Sequence, residues 1–402
     1  MSTTQSALVI GGGIAGPVTA TALLKAGIAA RVYEAYPGPT FGIGSGLALA
    51  PNGVAALDLI GAGDLVRAVA DPISRMELSV GGKRLSTPQP AGLEPLQLVD
   101  RNDLHRILHD HAVAAGVPFE YEKRLVRVTE DDAGVTAHFA DGSTATADVL
   151  IGADGVRSTV RGQIDPANPG PDYTGMIGFG AIIDNHLGLT PGSMVFAFGR
   201  RAYYLYGALD QDRIMWGANL PHPDYLSLTE ARAIPAEHWL QRLRETYSDD
   251  DPGAEFVRHT TAANLETQGA LHIMPPVPRW HRGRMVLVGD SVHAPSNSSG
   301  QGASLAIESS IQLARCLRDL PDPSSAFAAY ERLRRPRVEG VAARARKINH
   351  SKTPGPVARR MMSVLMPMMI KKMDPEQTMG AEQRYRIDWE APVRTELSAV
   401  RA

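Results

Sequence analysis

The 402-residue chain has a single cysteine, Cys316. One thiol excludes an intrachain disulfide framework and any zinc or iron–sulfur centre built on several thiolates. It is compatible with a reducing cytoplasm, where the protein is expected to reside. Charge of one sign is also lacking: 41 Lys and Arg stand against 43 Asp and Glu, a net charge of −2. No global field therefore draws the chain to nucleic acid. No apolar run has the form of a membrane span. The most tempting stretch, residues 7–30, is broken by Gly11, Gly12, Gly13, Gly16, Pro17 and Lys25, and no basic leader or cleavage pattern accompanies it. There is no repeat with a period of about 20–50 residues. What remains is ordinary globular composition, 44% hydrophobic and 21% charged, which excludes a disordered or fibrous chain. At roughly 100–200 residues per domain, the length corresponds to two or three domains, or to one large α/β unit with an insertion.

Residues 7–10 are a short apolar run ending in glycine, as a central parallel strand would be. Residues 17–26 read as a helix stopped by Gly27, and residues 30–33 as a second strand ending at Glu34. Strand, glycine turn, helix, strand and terminal acid form a βαβ dinucleotide-binding pattern. Residues 51–60 and 101–115 read as helices. In the second, Asp103 is the expected cap, and Leu104, Ile107, Leu108, His111 and Ala112 share one face. Residues 125–129 and 135–139 flank Asp131-Asp132-Ala133-Gly134 as a hairpin, and 149–151 is another buried strand.

From about residue 173 to 274 the chain changes character. Aromatic-rich strand patterns at 177–183, 193–198, 202–209 and 213–220 predict a mainly antiparallel sheet, with a helix over 235–247 packed on it. A buried strand returns at 284–288, followed by a polar loop and a helix over 303–317 with Ala303, Ile307, Ile311, Ala314 and Leu317 on one stripe. Separate helices are expected over 324–335 and 337–348, divided by Pro336. The fold class expected is α/β: a discontinuous Rossmann-like domain (1–72, 101–172 and 279–335), an inserted, mainly antiparallel β-sheet domain (73–100 and 173–278), and C-terminal helices over 336–402.

Three motifs carry chemistry. In Gly11-Gly12-Gly13-Ile14-Ala15-Gly16, Gly11 permits the tight turn, Gly13 lets a pyrophosphate approach the backbone, and Gly16 lets helix and strand pack closely. The backbone N–H groups at the helix start, around Ile14 and Ala15, suit phosphate oxygens. Glu34 has the spacing of an acid that binds an unphosphorylated adenosine ribose, as in NAD or FAD. The second motif is Asp154-Gly155. The third is Gly289-Asp290, leading into Gly300-Gln301-Gly302-Ala303.

In order and approximate spacing these motifs resemble those of the single-component FAD-dependent aromatic hydroxylases: the para-hydroxybenzoate hydroxylase-like, group A flavoprotein monooxygenases, including the tetracycline-degrading type. The resemblance spans about residues 6–335. It implies FAD as cofactor, with Asp290 on the flavin ribityl or ribose, Gly300, Gly302 and Ala303 at the flavin pyrimidine end, and Asp154 organising the pyrophosphate region. It places Arg101 at the FAD, the backbone of Leu125 at the adenine, and Gly44-Ser45-Gly46 near the isoalloxazine ring. Read from the residues alone, Asp154 also fits a turn former, Asp290 a helix cap, Arg101 a surface ion pair and Leu125 plain sheet core. The chain departs from the family pattern at Ala35, where arginine is frequent, at Asn297, where proline is common, and at Glu308-Ser309-Ser310, often Glu-Asp-Ala.

No second glycine fingerprint is present, so the resemblance implies transient binding of NADPH or NADH. In the family reaction the reduced flavin captures O2, and a C4a-hydroperoxide delivers oxygen to an electron-rich carbon. Hydroxylation of an aromatic or polycyclic apolar molecule, in secondary metabolism or xenobiotic degradation, is the leading expectation. Epoxidation of an alkene, a flavin-dependent reductase and a non-enzymatic flavin-binding module stay open. The halogenase reading loses weight because Trp216, Trp239, Trp280 and Trp389 are all isolated. The inserted sheet would cover the flavin, with Phe179, Phe196, Tyr204, Tyr206, Trp216 and Asn297 as candidate substrate contacts; Phe198, Tyr203 and Met215 add to the same apolar density. Alternation along a strand sends only half of such residues to any one face. His222 and His259 are either proton handlers or ordinary loop histidines. No catalytic residue and no metal site is read from the sequence. Residues 359–373 hold six methionines, five of them between Arg359-Arg360 and Lys371-Lys372 and Met373 just beyond, compatible with packing or dimer contact, a membrane-surface helix or a lid. The expected state is a monomer or homodimer without membrane association.

Overall fold

The computed structural model describes residues 4–39, 46–168, 170–296, 299–350 and 356–399. Its centre is a six-stranded sheet in the order His281–Arg282, Met285–Leu287, Val149–Gly152, Ser6–Ile10, Ala29–Tyr33 and Phe119–Glu120. The strands run parallel except the edge strand His281–Arg282. The strand Ser6–Ile10, with a parallel neighbour on each side, is buried from Ala7 to Ile10, which is why it reads as an unbroken apolar run. Gly27, at φ +80°, ends the following helix, Ala15–Lys25.

The helix Gly302–Asp319 is buried continuously from Ser304 to Leu317. It earns this by packing on three helices, Ala15–Lys25, Pro51–Asp58 and Pro323–His350. That burial also corrects one expectation. Pro336 does not divide two helices; Pro323–His350 runs through it as one element. A proline inside a helix removes one backbone hydrogen bond. Here the flanking turns are held to the neighbouring helix by the ion pairs of Arg334 and Arg337 with Glu308. A smaller correction concerns the helix Arg101–Ala114: its cap is Asp100, whose carboxylate accepts from the Asn102 N–H at 2.7 Å, and not Asp103.

The second large sheet has seven strands: Glu266–Ile273, Asp172–Asp184, Arg213–Pro221, Tyr203–Ala208, Ser193–Phe198, Arg75–Val80 and Lys83–Ser86. All pairs are antiparallel except Ser193–Phe198 with Arg75–Val80. Helices Ala236–Tyr247 and Gly253–Arg258 cover one face. The other face meets a three-stranded sheet of Leu47–Leu49, Leu96–Val99 and Asp71–Ile73 through Ile73, Leu98, Met194 and Met215. A further three-stranded antiparallel sheet comprises Leu125–Glu130, Val135–Phe139 and Thr144–Ala147. The fold is thus mixed α/β, with a parallel-sheet layer, an antiparallel sheet and C-terminal helices.

The helix Pro356–Lys371 runs through Pro367 and lies against strands Arg75–Val80 and Lys83–Ser86. Met361, Val364, Leu365, Met368 and Met369 are exposed along it. Among the described residues, no helix is long and apolar enough to cross a membrane.

Candidate functional site

The three sequence motifs converge at the carboxyl ends of the parallel strands. Gly11, at φ +104°, ends the first strand, and a β-carbon built on it would stand 2.5 Å from the Ala153 carbonyl oxygen and 2.9 Å from the Asp154 Cα. Gly289, at φ +62°, lies between Ala15 and Ala306: its β-carbon would be 3.1 Å from that of Ala15 and 3.2 Å from that of Ala306. Only glycine meets both demands, left-handed backbone and close approach. The Gly152 carbonyl accepts the Val288 N–H at 3.0 Å and the Ser291 hydroxyl at 2.7 Å. The Asp-Gly and Gly-Asp motifs are therefore bonded neighbours, about 135 residues apart in sequence but on adjacent strands.

Around the fingerprint, glycines divide by role. Gly16 presses against the carbonyl of Gly11, so a β-carbon there would overlap it; that contact holds helix to strand. Among the described residues, Gly13 has no neighbour within 4 Å of its ideal β-carbon, leaving an open cradle at the start of the helix Ala15–Lys25. No side chain caps that helix start. Its N–H groups and partial positive charge suit a phosphate oxygen. Glu34 is held firmly: one carboxylate oxygen accepts the Gly12 N–H at 2.7 Å, the other the Tyr36 N–H at 3.0 Å. Each oxygen keeps a further lone pair for a hydroxyl donor. His105, from the helix that begins at Arg101, reaches back to the Gly12 carbonyl oxygen at 2.7 Å and fixes that helix to the glycine turn.

The remaining site candidates are placed as follows. The Asp154 carboxylate accepts from the Ser158 hydroxyl (2.5 Å) and from the N–H groups of Thr159 (2.7 Å) and Val160 (3.1 Å), at the start of helix Thr159–Ile164. Burial nevertheless raises its pKa, against these hydrogen bonds. Asp290 opens the short helix Asp290–His293; burial pushes its carboxyl up and the charge of Arg101 pulls it back. Leu125 is buried and starts its strand opposite Phe139. Gly302 and Ala303 form the first turn of helix Gly302–Asp319, which also lacks a side-chain cap, and Gly300, at φ +60°, is open beside it. Gly44, Ser45 and Asn297 lie outside the described residues.

The aromatic candidates separate by strand alternation. Phe179, Tyr204, Tyr206 and Trp216 lie on the face of the seven-stranded sheet packed by Trp239, Leu243, Tyr247 and Phe256. They form that core, and the Trp216 indole donates to Thr260 Oγ1 at 3.0 Å within it. The structure therefore removes these four from the expected ligand wall: register puts their side chains on the helix-covered side. Phe196 is on the opposite face, with Leu205, Met194 and Met215. The Met215 sulfur closes against Gly46. Phe196, Leu205 and Met215 thus mark the sheet face turned toward the Gly46 loop.

Sequence reading missed a buried polar brace beneath the helix start Gly302. Asn52 donates to Gln301 Oε1 at 2.9 Å and to Glu308 Oε1 at 2.7 Å; Glu308 pairs with Arg334 at 2.7 Å and Arg337 at 2.8 Å. The two arginines hold the Glu308 carboxyl below its usual range despite complete burial. The Ala50 N–H donates to Ser304 Oγ at 3.1 Å, tying the strand after Gly46 to the same helix. The only sequence signal was charge in otherwise apolar helical stripes. Residues 249 to 256 positions apart meet here, which no local pattern reveals.

The open cradle at Gly13, two uncapped helix starts and the fixed Glu34 fit an FAD: diphosphate, ribose and an electron-rich pyrimidine each meet a group of matching polarity. The comparisons agree. A family model described as an FAD binding domain matches residues 4–345. The 3-amino-4-hydroxybenzoate 2-monooxygenase of Streptomyces cremeus is 33% identical over 359 residues, covering 85% of this chain and 86% of that protein. The FAD-dependent urate hydroxylase of Klebsiella pneumoniae is 30% identical over 369 residues, covering 87% and 91%. The crystal structure of Klebsiella pneumoniae HpxO complexed with FAD and uric acid has a TM-score of 0.81 at 25% identity, covering 95% of this chain and 97% of that one. The chain belongs to the single-component FAD-dependent aromatic hydroxylases, and it is an FAD-dependent monooxygenase.

Proposed function

We propose that the protein uses NADPH or NADH and O2 to hydroxylate an aromatic small molecule bearing hydroxyl or amino substituents. The observation that carries this is the packing of Gly289 between Ala15 and Ala306, which brings the fingerprint, the Gly-Asp motif and the helix from Gly302 to one point. Relatives named for 3-amino-4-hydroxybenzoate, urate and 6-hydroxynicotinate support the substrate class. Hydroxyl and amino groups make a ring carbon electron-rich, as oxygen insertion needs.

When bound, FAD supplies the redox and oxygen-activating chemistry. The chain's own residues bind and orient. The N–H groups around Ile14 and Ala15, reached across Gly13, hold the diphosphate. Glu34 takes the ribose hydroxyls, Asp290 the ribityl chain with Arg101 nearby, and Gly302 and Ala303 the pyrimidine end. There the helix dipole offsets negative charge. Phe196, Leu205 and Met215 supply an apolar wall that faces the substrate ring and excludes water. Asn52, Gln301 and Glu308 are positioning residues that fix the helix start from below.

The test uses the purified, FAD-loaded protein with a panel of hydroxy- and amino-substituted benzoates, pyridines and purines. NAD(P)H oxidation and O2 uptake are measured, and products are weighed by mass spectrometry. Ring-dependent O2 uptake with gain of one oxygen atom is expected. Substrate-dependent NAD(P)H oxidation without O2 uptake would assign a reductase instead. An epoxide formed from an alkene supplied in place of the ring panel would assign epoxidation.

A further inference from the structure

On the outer side of the seven-stranded sheet, away from the FAD cradle, three ligand-type side chains meet. His186 lies in the turn after strand Asp172–Asp184; Glu255 lies in the first turn of helix Gly253–Arg258, and His259 caps that helix at its C-terminal end. One ligand atom from each falls within 4.8 Å of the other two. The His186 and His259 rings are stacked with centroids 3.7 Å apart. We propose that His186, Glu255 and His259 form a binding site for a divalent transition metal of borderline softness, Zn2+ in the first instance.

Three details of the arrangement favour a metal over a chance cluster. His186 Nδ1 lies 2.9 Å from the Asp184 carbonyl oxygen, an acceptor, so this nitrogen carries the ring proton and Nε2 keeps its lone pair. A backbone carbonyl fixing the tautomer of a ligating histidine is the usual supporting contact of a metal site. Glu255 is divided in the same sense. One oxygen is held by Arg258 at 2.6 Å, and the other faces His259 Nε2 at 3.9 Å. The His186 turn is itself braced, since Asn185 donates to the Leu189 and Gln211 carbonyls and accepts from the Leu189 N–H.

Two imidazoles and a carboxylate suit Zn2+ or its neighbours, with water completing a tetrahedral shell. Bonds of about 2.0–2.2 Å require the three atoms to close further. Both histidines are exposed and have room to do so. The metal would staple the turn at 185–189 to the helix that carries Phe256, which packs on Tyr206 at 4.8 Å and Trp216 at 5.9 Å. Its effect falls on the stability of the antiparallel sheet, outside the residues assigned to FAD and substrate.

The experiment is calorimetric titration of tag-free, FAD-loaded, EDTA-stripped protein with ZnCl2, paired with thermal denaturation. One saturable site is expected in the native sequence, with affinity reduced at least tenfold in H186A and in H259A. Zn2+ should raise the melting temperature of the native protein and leave that of the H186A/H259A variant unchanged. An unchanged FAD-to-protein ratio establishes that the variants are folded. No saturable site, or one that survives intact in H186A/H259A, overturns the proposal.

Discussion

The side chain of Met215, on the third strand of the antiparallel sheet, closes on the backbone of Gly46, at the edge of the loop expected near the flavin ring. A β-carbon at Gly46 would overlap the Met215 sulfur and stand 3.4 Å from the Val99 carbonyl oxygen. The two layers therefore meet at a position where one side is glycine by necessity and the other is a deformable methionine. G46A should strain this contact by about 1–3 kcal/mol and lower kcat/KM accordingly. Adding M215A to G46A should recover part of the loss, read by steady-state kinetics on one substrate.

Gly13 and Gly16 should respond oppositely to the same added methyl. Gly13 has open space and a backbone outside the left-handed region, so G13A folds normally while its methyl enters the phosphate path. The expected outcome is a reduced FAD-to-protein ratio with an unchanged melting temperature of the apoprotein. G16A drives its methyl into the Gly11 carbonyl and lowers the melting temperature itself.

Glu308 and Arg334 are almost wholly buried, at 1% and 0% side-chain exposure. Removing Glu308 strands the buried Arg334 charge, at a cost of about 3–5 kcal/mol. E308L should therefore lower the unfolding midpoint sharply. E308L/R334M should regain part of it, because Arg337 is partly open to water and can solvate itself. Thermal denaturation of the three proteins checks the order.

His293 is buried against Trp280, and burial with the nearby Arg334 charge drives its pKa down to about 3. The unfolded chain binds that proton near pH 6.5. The folded form is thus favoured above about pH 6.5, and the contribution drains away as pH falls from there toward 3. The slope is at most about 1.4 kcal/mol per pH unit. His272 and His281 are shifted in the same direction by burial, so the comparison is with H293Q. Denaturant midpoints of native protein and H293Q should converge as pH falls from 6.5 to 4.5.

The two faces of the antiparallel sheet should separate stability from substrate binding. W216A empties a buried core position and should cost about 3–5 kcal/mol of stability. F196A should retain a near-native melting temperature and change KM for the aromatic substrate. Equal effects of the two variants on KM would refute the assignment of faces.

The βαβ start of the protein was legible because its physics is local. Residues 6–34 must make a strand, a turn that only glycine can make, a helix and an acid-tipped strand, and every step leaves a periodic or compositional mark. The same holds for the helix over 303–317 and the strand before Gly289. The Pro336 break was misread because proline's local penalty is visible in sequence, whereas the pairing of Glu308 with Arg334 and Arg337 that offsets it is not. The sheet face turned toward the Gly46 loop was only half legible. Aromatic density marked the antiparallel sheet, but which residues face that loop depends on strand register and on which side the helices cover.

By itself, the sequence determined that the chain begins with a dinucleotide-binding βαβ pattern, because a glycine turn between two strands and an acid at the end of the second leave their marks at short range. The tertiary structure alone decided that Met215 meets Gly46, that Asn52 braces Glu308, that Phe196 and not Trp216 turns toward the Gly46 loop, and that His186 lies beside His259. These contacts join residues tens to hundreds of positions apart, and their partners are chosen by sheet register and layer packing, neither of which is encoded in the neighbours of either residue.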